Sequence, residues 1–301
     1  MIPLMFAAAL VDTICVPPDW NTVVIHEWGV ITISEEMFIE SVPDQDYSSH
    51  PWNSPSLDDK APVVYFYGHD FYDAEFTVEL SSGHFTEICP YPDDFNPDDF
   101  TITWSILSGC NMGEYELPPS VLPENRTCSG WAMDEWRNDA AHVLDFGNGI
   151  MDRFIFYECS IPFDVDNPPY PFTRRRGLDS SFEGQVLVFS NENNQIKITL
   201  CGADEIANSS PEMVPYSRKT VMETLCEWSN GDMKSDELND LWNTWEDYVL
   251  SGEWHGDRLL VFRIPVSTID RMTTIRLESP QDPDIVISRF YLGMVPFSWI
   301  Q

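Results

Sequence analysis

The chain has 301 residues, with 50 acidic and 16 basic side chains and a formal net charge of −34. Hydrophobic residues make up 43% of it, a share that excludes an intrinsically disordered protein. The negative charge repels phosphate backbones and anionic membrane surfaces. We therefore expect no nucleic-acid partner, whereas a cation, a basic protein or an extracellular surface partner fits the charge.

The first 18 residues, 1–18, are interpreted as a possible signal peptide. Residues 1–11 are uncharged and mostly apolar, but a bilayer span needs about 20 residues, so they match the apolar part of a signal peptide better. A buried first strand is the alternative. Cleavage near Cys15 would reduce seven cysteines to six, an even number that suits disulfides outside the cell. We expect an exported protein, extracellular or at the cell surface, with no integral membrane span.

Residues 19–210 contain many short β-branched segments separated by turn-forming residues. No regular helix stands between successive strands, so the pattern predicts a β-sandwich-like domain of antiparallel sheets. The run 23–33 is almost continuously apolar, as in a strand buried on both faces. The segment 41–60 is rich in Pro, Ser and Asp and predicts a loop.

Two hairpins and one helix are predicted within this domain. A Ser-Ser-Gly turn separates the strands 76–80 and 84–88, and the polar residues 191–194 separate another pair. Ser129 can cap a helix whose apolar residues line one face as far as Val143.

Residues 211–301 are expected to form an α+β domain or subdomain, because the period of the apolar residues becomes helical. Ser235 can cap the second of two helices, which ends at Gly252, and together they predict a helical hairpin. Two apolar strands follow, over 258–264 and 285–292. The fold class predicted for the whole chain is therefore mainly β, with a C-terminal α+β part that contains a helical hairpin.

Cys110 and Cys128 flank a loop that is rich in turn-forming residues, and this spacing predicts a disulfide. Such a bond would stabilise the fold by roughly 3 kcal/mol in the loop-entropy model. The chain has no C-x-x-C pair, which argues against a structural zinc site or a thioredoxin-type redox centre.

His26 and Glu27 are adjacent on the predicted strand 23–33, so their side chains point to opposite faces and cannot share a metal without a bulge. A buried polar group without a partner costs about 1–3 kcal/mol. We interpret the two residues as members of a hydrogen-bonded network that fixes the strand. The alternative is a metal-dependent hydrolase that uses histidines and carboxylates near His26, His69 and His84, with a metal-bound water as the nucleophile. Its candidate catalytic residues are His26, Glu27, His69 and His84.

An acidic segment offers a candidate calcium site. Asp93, Asp94, Asp98 and Asp99 place four carboxylates within seven residues, and Ca²⁺ prefers six to eight oxygen ligands. The spacing does not match the twelve-residue EF-hand loop. A solvated acidic turn is therefore the alternative to calcium.

Short segments along the chain resemble those of one protein family. They are His26-Glu-Trp-Gly29, the strand 62–67, Gly83 with Thr86-Glu87, Tyr91-Pro92, Phe154-x-Phe-Tyr157, Thr244-Trp245 and Arg258-Leu-Leu. In this order they are similar to a family of uncharacterised, predicted exported bacterial proteins that open with an H-E-W-G signature. The resemblance implies export and a β-rich N-terminal part. It implies no activity, so no catalytic residue is carried over.

Common catalytic motifs are missing from the sequence, which has no G-x-S-x-G, no P-loop, no G-x-G-x-x-G and no H-E-x-x-H. We therefore expect an exported, acidic, non-catalytic surface or binding protein. The alternative function is the metal-dependent hydrolase with His and carboxylate ligands near His26.

Overall fold

The computed structural model describes most of the chain, and the ranges described are 21–33, 56–92, 95, 100–117, 136–162, 172–173, 177–178, 184–202, 205–206, 211–252, 254 and 257–297. Its main elements are a nine-stranded sheet, a five-stranded sheet, a separate two-stranded pair and three helices. The larger sheet has nine strands, which are, in spatial order, β13 (Val214–Pro215), β12 (Gln195–Gly202), β11 (Gln185–Glu192), β14 (Arg258–Ile264), β16 (Asp284–Phe297), β1 (Thr22–Ile33), β2 (Ser56–Gly68), β8 (Ile155–Pro162) and β4 (His84–Cys89).

The smaller sheet packs on one face of the larger one. Its strands are, in spatial order, β15 (Thr273–Glu278), β3 (Phe71–Leu80), β5 (Thr101–Cys110), β6 (Val143–Gly147) and β7 (Ile150–Asp152). A short separate pair is β9 (Phe172–Thr173) with β10 (Gly177–Leu178), and the helices are α1 (Arg218–Ser229), α2 (Ser235–Ser251) and α3 (Val266–Met272).

The molecule has three layers with two apolar cores between them. One core lies between the two sheets, where Phe66, Phe76 and Trp104 are buried. The other lies between the larger sheet and the hairpin of α1 and α2, which buries Leu241 and Trp242. The predicted fold class is confirmed: the protein is mainly β, with packed sheets and a C-terminal α+β part containing a helical hairpin.

The predicted helical hairpin is confirmed, although the N-cap of its second helix differs from the prediction. Ser217 accepts a hydrogen bond from the Thr220 backbone at the start of α1, and Gly252 ends α2 in the left-handed conformation with φ of 65°. The N-cap of α2 is Lys234, one residue before the predicted cap Ser235. Each of the two helices packs one apolar face against the larger sheet.

Strand β1 lies in the middle of the larger sheet. It pairs antiparallel with β2 and parallel with β16, in register from Thr22 opposite Asp284 onwards. The larger sheet is therefore mixed, where purely antiparallel sheets were expected. Val23 and Ile25 face the core between the sheets, while Val24 and Trp28 face the helices. The predicted burial of both faces of this strand is confirmed.

The hairpin predicted from 76–80 and 84–88 is wrong, because its two strands belong to different sheets. Strand β3 pairs with β5 and β15, while β4 pairs with β8. The turn carries the chain from one sheet to the other, and Ser81 donates its backbone N–H to Met272 at 2.8 Å. The apolar residues of both strands fill the core between the sheets. The other predicted hairpin, β11 with β12, is confirmed.

The helix predicted from Ser129 to Val143 is not found in its described part, which begins at residue 136. The Asn138 side chain accepts a hydrogen bond from the Ala140 backbone at 2.9 Å. This turn competes with a helix, and Val143 then starts β6. Residues 56–60 of the predicted loop over 41–60 belong to β2, which contradicts that part of the prediction, and residues 41–55 lie outside the described residues.

The predicted disulfide between Cys110 and Cys128 is not found in this structure. Cys110 is a free thiol, and its Sγ donates to the Tyr72 hydroxyl at 3.6 Å. Cys128 lies outside the described residues. No disulfide is found at the remaining cysteines in the described part of the chain, which are Cys89, Cys159, Cys201 and Cys226.

Two further sequence interpretations concern the domain boundary and the N-terminal segment. The predicted boundary between 19–210 and 211–301 falls between β12 and β13, which are neighbours in one sheet. The possible signal peptide, 1–18, lies outside the described residues. Within the described ranges, no helix combines the length and the apolar character that crossing a membrane requires.

Candidate functional site

His26 points from the centre of β1 toward the helices and is 1% exposed. Its Nδ1 lies 3.0 and 2.9 Å from the two carboxylate oxygens of Glu237. Glu237 is the third residue of α2 and is fully buried. The contact therefore joins the first turn of a helix to the middle strand of the sheet, across 211 residues of sequence.

The Glu237 carboxylate is a hydrogen-bond acceptor for three groups. Besides His26, the Tyr67 hydroxyl donates to Oε1 at 2.7 Å, and the Lys234 backbone N–H donates to Oε2 at 2.6 Å. The last bond is half of a capping box, in which a glutamate satisfies a free N–H at the start of a helix. A buried carboxylate needs this many donors, because desolvation of the charge is costly.

Lys234 lies next to Tyr67 in this cluster. Its Nζ lies 3.4 Å from the centroid of the Tyr67 ring, a cation–π distance. Burial lowers the pKa of the Lys234 ammonium, and the nearby carboxylates of Glu237 and Asp236 act in the opposite direction. Burial, followed by the Glu237 charge, raises the pKa of Tyr67 well above its usual value. Tyr67 is therefore a neutral donor to Glu237 at physiological pH.

A second buried histidine, His142, lies beside the end of β2. Its backbone N–H donates to Phe66 at 2.8 Å, and its Nε2 is 3.9 Å from an oxygen of Asp70. Burial lowers the pKa of His142, and the Asp70 carboxylate opposes this shift. His26 and His142 are therefore both buried histidines that have a carboxylate nearby.

Glu27 points to the other face of β1, into the core between the sheets, and is fully buried. Its Oε2 accepts from Arg289 Nε at 2.5 Å, and its Oε1 accepts a short hydrogen bond from the Tyr157 hydroxyl. Burial acts to lower the pKa of Arg289, but Glu27, Tyr291 and Tyr157 together outweigh it and raise that pKa. Arg289 is therefore charged in the folded protein and is held by the Glu27 side chain.

Arg289 extends this network from the larger sheet to the smaller one. Its Nη1 donates to the Thr273 carbonyl at 2.8 Å and to Asp270 at 3.1 Å, and its Nη2 donates to the Thr273 hydroxyl. Thr273 is the first residue of β15, and Asp270 lies on α3. One guanidinium therefore fixes where the edge of the smaller sheet meets the larger one.

The remaining residues of the H-E-W-G segment are packing residues. Trp28 is fully buried and meets Trp136 edge-to-face, with ring centroids 6.0 Å apart. A Cβ atom added to Gly29 would lie 2.6 Å from the Tyr291 ring, so only glycine leaves room for that ring. The group that approaches Gly29 closely is therefore an aromatic side chain of the neighbouring strand β16.

The four sequence-predicted catalytic candidates do not meet at one point. His26 and Glu27 lie on opposite faces of β1, while His69 and His84 are exposed. His84 is on β4, three strands away from β1 in the sheet order, or about 14 Å at the usual strand spacing. In the described part of the chain, no group of three or more His, Cys, Asp and Glu residues has a geometry that could hold a metal ion. The calcium candidates Asp93, Asp94, Asp98 and Asp99 lie outside the described residues.

The contact of His26 with Glu237 also has a chemical interpretation. A carboxylate at Nδ1 orients an imidazole, so that Nε2 can serve as a general base. A general base has to come within hydrogen-bond distance of its substrate, whereas His26 Nε2 is buried and has no hydrogen-bond partner among the described residues. The geometry thus fits a structural anchor better than a base.

Comparison of this chain with known proteins gives no assignment. Neither a family model nor a curated protein matches it. The resemblance to the exported H-E-W-G family therefore stays a prediction.

The first prediction concerns the His26 anchor. Replacement of His26 by alanine is expected to lower the free energy of unfolding by about 1–3 kcal/mol, because Glu237 loses a buried partner. The exposed His84→Ala is the matched control and is expected to change stability by less than about 0.5 kcal/mol. Urea unfolding followed by circular dichroism measures both. Equal midpoints for the two variants would contradict the anchor role.

The second prediction concerns the buried ion pair. Glu27→Gln and Arg289→Met are each expected to destabilise the fold by about 3–5 kcal/mol, because each leaves its partner unpaired. The double variant should lose less than the sum of the two, with a coupling of about 0.5–3 kcal/mol.

The exposed pair Arg276 with Glu79, 3.5 Å apart, provides the control cycle. Its coupling is expected to stay below about 1 kcal/mol, because solvent screens exposed charges. Strictly additive losses for Glu27 and Arg289 would show that the buried pair does not act as a unit.

Proposed function

We propose that the protein is an exported, non-catalytic binding protein whose partner is positively charged. The observation that carries this proposal is that basic residues form ion pairs within the chain, while the sequence as a whole has a net charge of −34. Most arginines that the structure describes contact a carboxylate of the same chain, in the pairs Arg137–Asp152, Arg153–Asp139, Arg218–Glu246, Arg263–Asp232, Arg276–Glu79 and Arg289–Glu27.

The outer face of the smaller sheet supports this proposal. Glu75 on β3 lies directly opposite Glu278 on β15, and both side chains are exposed. Like charges in this position destabilise a sheet by roughly 0.2–1 kcal/mol relative to a neutral pair. A cationic partner relieves that repulsion, so charge that is unfavourable for folding becomes favourable for binding.

Export is supported by the apolar segment within 1–18 and by the resemblance to the H-E-W-G family. The composition agrees with it, since only four of the 16 basic residues are lysines and an Asp-rich surface suits a saline or calcium-containing exterior. A calcium site at Asp93, Asp94, Asp98 and Asp99 remains a prediction beside this function. The non-catalytic part is supported by His26 and Glu27, whose polar atoms are engaged mainly within the fold.

The third prediction tests binding. The full chain is expected to bind poly-lysine in about 50 mM NaCl and to lose at least about tenfold in affinity in about 500 mM NaCl, because salt screens surface charges. Isothermal titration calorimetry measures the affinity. Fully acetylated poly-lysine, which keeps the chain length but lacks the charge, is the control and should not bind. Affinity that is independent of salt, or absent at low salt, would contradict the proposal.

The fourth prediction tests export. Protein purified from its native host is expected to start between about residues 14 and 20, as N-terminal sequencing would show, because the apolar segment directs export and is then removed. Leu10→Arg places a charge in that segment and should retain the protein inside the cell. An intact mass that corresponds to residues 1–301 in the exported fraction would contradict cleavage.

A further inference from the structure

One part of strand β16 has a hydrogen-bonding partner on one side only. β1 pairs with it over Asp284–Met294, whereas β14 pairs with it only over Tyr291–Phe297. Among the described residues, no strand therefore lies on the outer side of residues 284–290, which we call the open segment. In a β-sheet, the backbone groups that point outward from such a segment are a template for another strand.

Pro265 explains why the edge opens at this point. It follows directly after β14, has no N–H to continue the ladder, and is the N-cap of α3. Helix α3 then turns into the core between the sheets, where Ile269 and Met272 are buried. In the described part of the chain, β14 therefore does not continue as a strand beside the open segment, and α3 contacts β16 through Asp270 and Arg289.

Two neighbouring apolar side chains in the middle of the open segment are exposed. Val286 is 49% exposed and Ile287 is 40% exposed. Adjacent residues of a strand point to opposite faces, so neither the helices nor the smaller sheet covers this point. An extended chain added here would bury apolar surface on both sides as well as pair backbone groups.

The terminal strands of the two sheets are protected against such pairing, which makes the open segment an exception. β4 contains a register shift next to Phe85, β13 has two residues including Pro215, and β7 has three residues. β15 alternates charged side chains on its exposed face, with Arg276 and Glu278. Bulges, short length, proline and charge are the usual means of blocking an edge. Residues 285–288 of the open segment have no bulge, proline or charged side chain, whereas Asp284 and the buried Arg289 lie at its two ends.

Carboxylates lie near both ends of the open segment, and they favour a positively charged partner. Asp282 and Asp284 are exposed at its start. Asp270, 58% exposed, contacts Arg289 at its other end, and Asp232, 49% exposed, contacts Arg263 near Phe290. A second copy of this chain would bring the same carboxylates and is repelled. A strand with lysine or arginine side chains is attracted.

We propose that residues 284–290 of β16 form a docking edge for an extended, lysine- or arginine-bearing peptide segment of a partner protein. The peptide adds to the larger sheet as a strand beside β16. Its backbone pairs with the open segment, its apolar side chains cover Val286 and Ile287, and its basic side chains reach the surrounding aspartates. This proposal rests on the proposed function, because it takes the positively charged partner from it and adds the place and the form of binding.

The test uses the full chain and two peptides of equal charge. One alternates lysine and valine, which favour an extended strand, and the other alternates lysine and glycine, which do not. Calorimetry is expected to show at least about tenfold tighter binding of the lysine–valine peptide. N-methylation of alternate amides removes backbone donors, and the edge-facing methylation pattern should lower this affinity by at least about tenfold.

Val286→Lys is the deciding variant, and Leu107→Lys is its matched control. Leu107 is 52% exposed on the smaller sheet, so both variants add the same charge at a similarly exposed site. We expect Val286→Lys to weaken lysine–valine binding by at least about tenfold and Leu107→Lys by less than about twofold. Ile287→Lys is the second variant if Val286→Lys does not retain the wild-type circular dichroism spectrum.

Three outcomes would overturn the docking edge. Equal effects of Val286→Lys and Leu107→Lys, or equal affinity for both peptides while poly-lysine still binds, would leave the proposed function standing and remove only the edge. Dimerisation of the wild type that Val286→Lys abolishes, seen in analytical ultracentrifugation, would assign the edge to a second copy. Failure of poly-lysine and both peptides to bind would overturn the proposed function together with the edge.

Discussion

The two adjacent ionisable residues of β1, His26 and Glu27, set the constraint on which the three-layer arrangement depends. Each is buried, each faces a different core, and each has one charged partner from a distant part of the chain: Glu237 for His26 and Arg289 for Glu27. A shift of β1 by one residue would exchange the two faces. A shift in one direction would place Glu27 against Glu237, and a shift in the other direction would place His26 against Arg289. Either shift would remove the charge complementarity of both networks. The polar pair therefore specifies the register of the strand, while the apolar residues around it supply most of the stabilisation.

Much of β1 could be predicted from the sequence, because its properties are local. The apolar run indicates a strand buried on both faces, and the period of two places His26 and Glu27 on opposite faces. The partners could not be predicted, because they lie 211 and 262 residues away and depend on the sheet order. One local signal for Glu237 was available: it stands two residues after Ser235, in the first turn of a predicted helix, where a glutamate closes a capping box. Arg289 lies among apolar residues on the predicted strand 285–292, and no local signal there identifies its partner.

The wrong predictions have a common physical cause, since short-range patterns do not say which sheet a strand joins. The residues Ser81-Ser-Gly83 are typical of a hairpin turn, yet they connect β3 in one sheet to β4 in the other. Similarly, the apolar spacing before Val143 fits a helix, but the Asn138 side chain forms a turn and the chain enters β6. The parallel pairing of β1 with β16 joins the two ends of the described chain. Such long-range pairing depends on how the side chains pack in the folded protein. The sequence shows only that apolar and polar residues alternate, and this alternation does not identify the partner strand.

The acidity of the chain and the openness of β16 are connected. A strand edge with Val286 and Ile287 exposed on opposite faces would normally promote association between copies, and none of the structural protections found at the terminal strands of the sheets is present there. Charge provides an alternative protection, because every copy carries Asp282 and Asp284 beside the edge. At about 0.1 M salt the Debye length is about 10 Å, so the distant part of the −34 charge is screened, and only carboxylates near the edge act on an approaching strand. Their position, more than their total number, therefore determines that like copies are repelled while a basic strand can still approach.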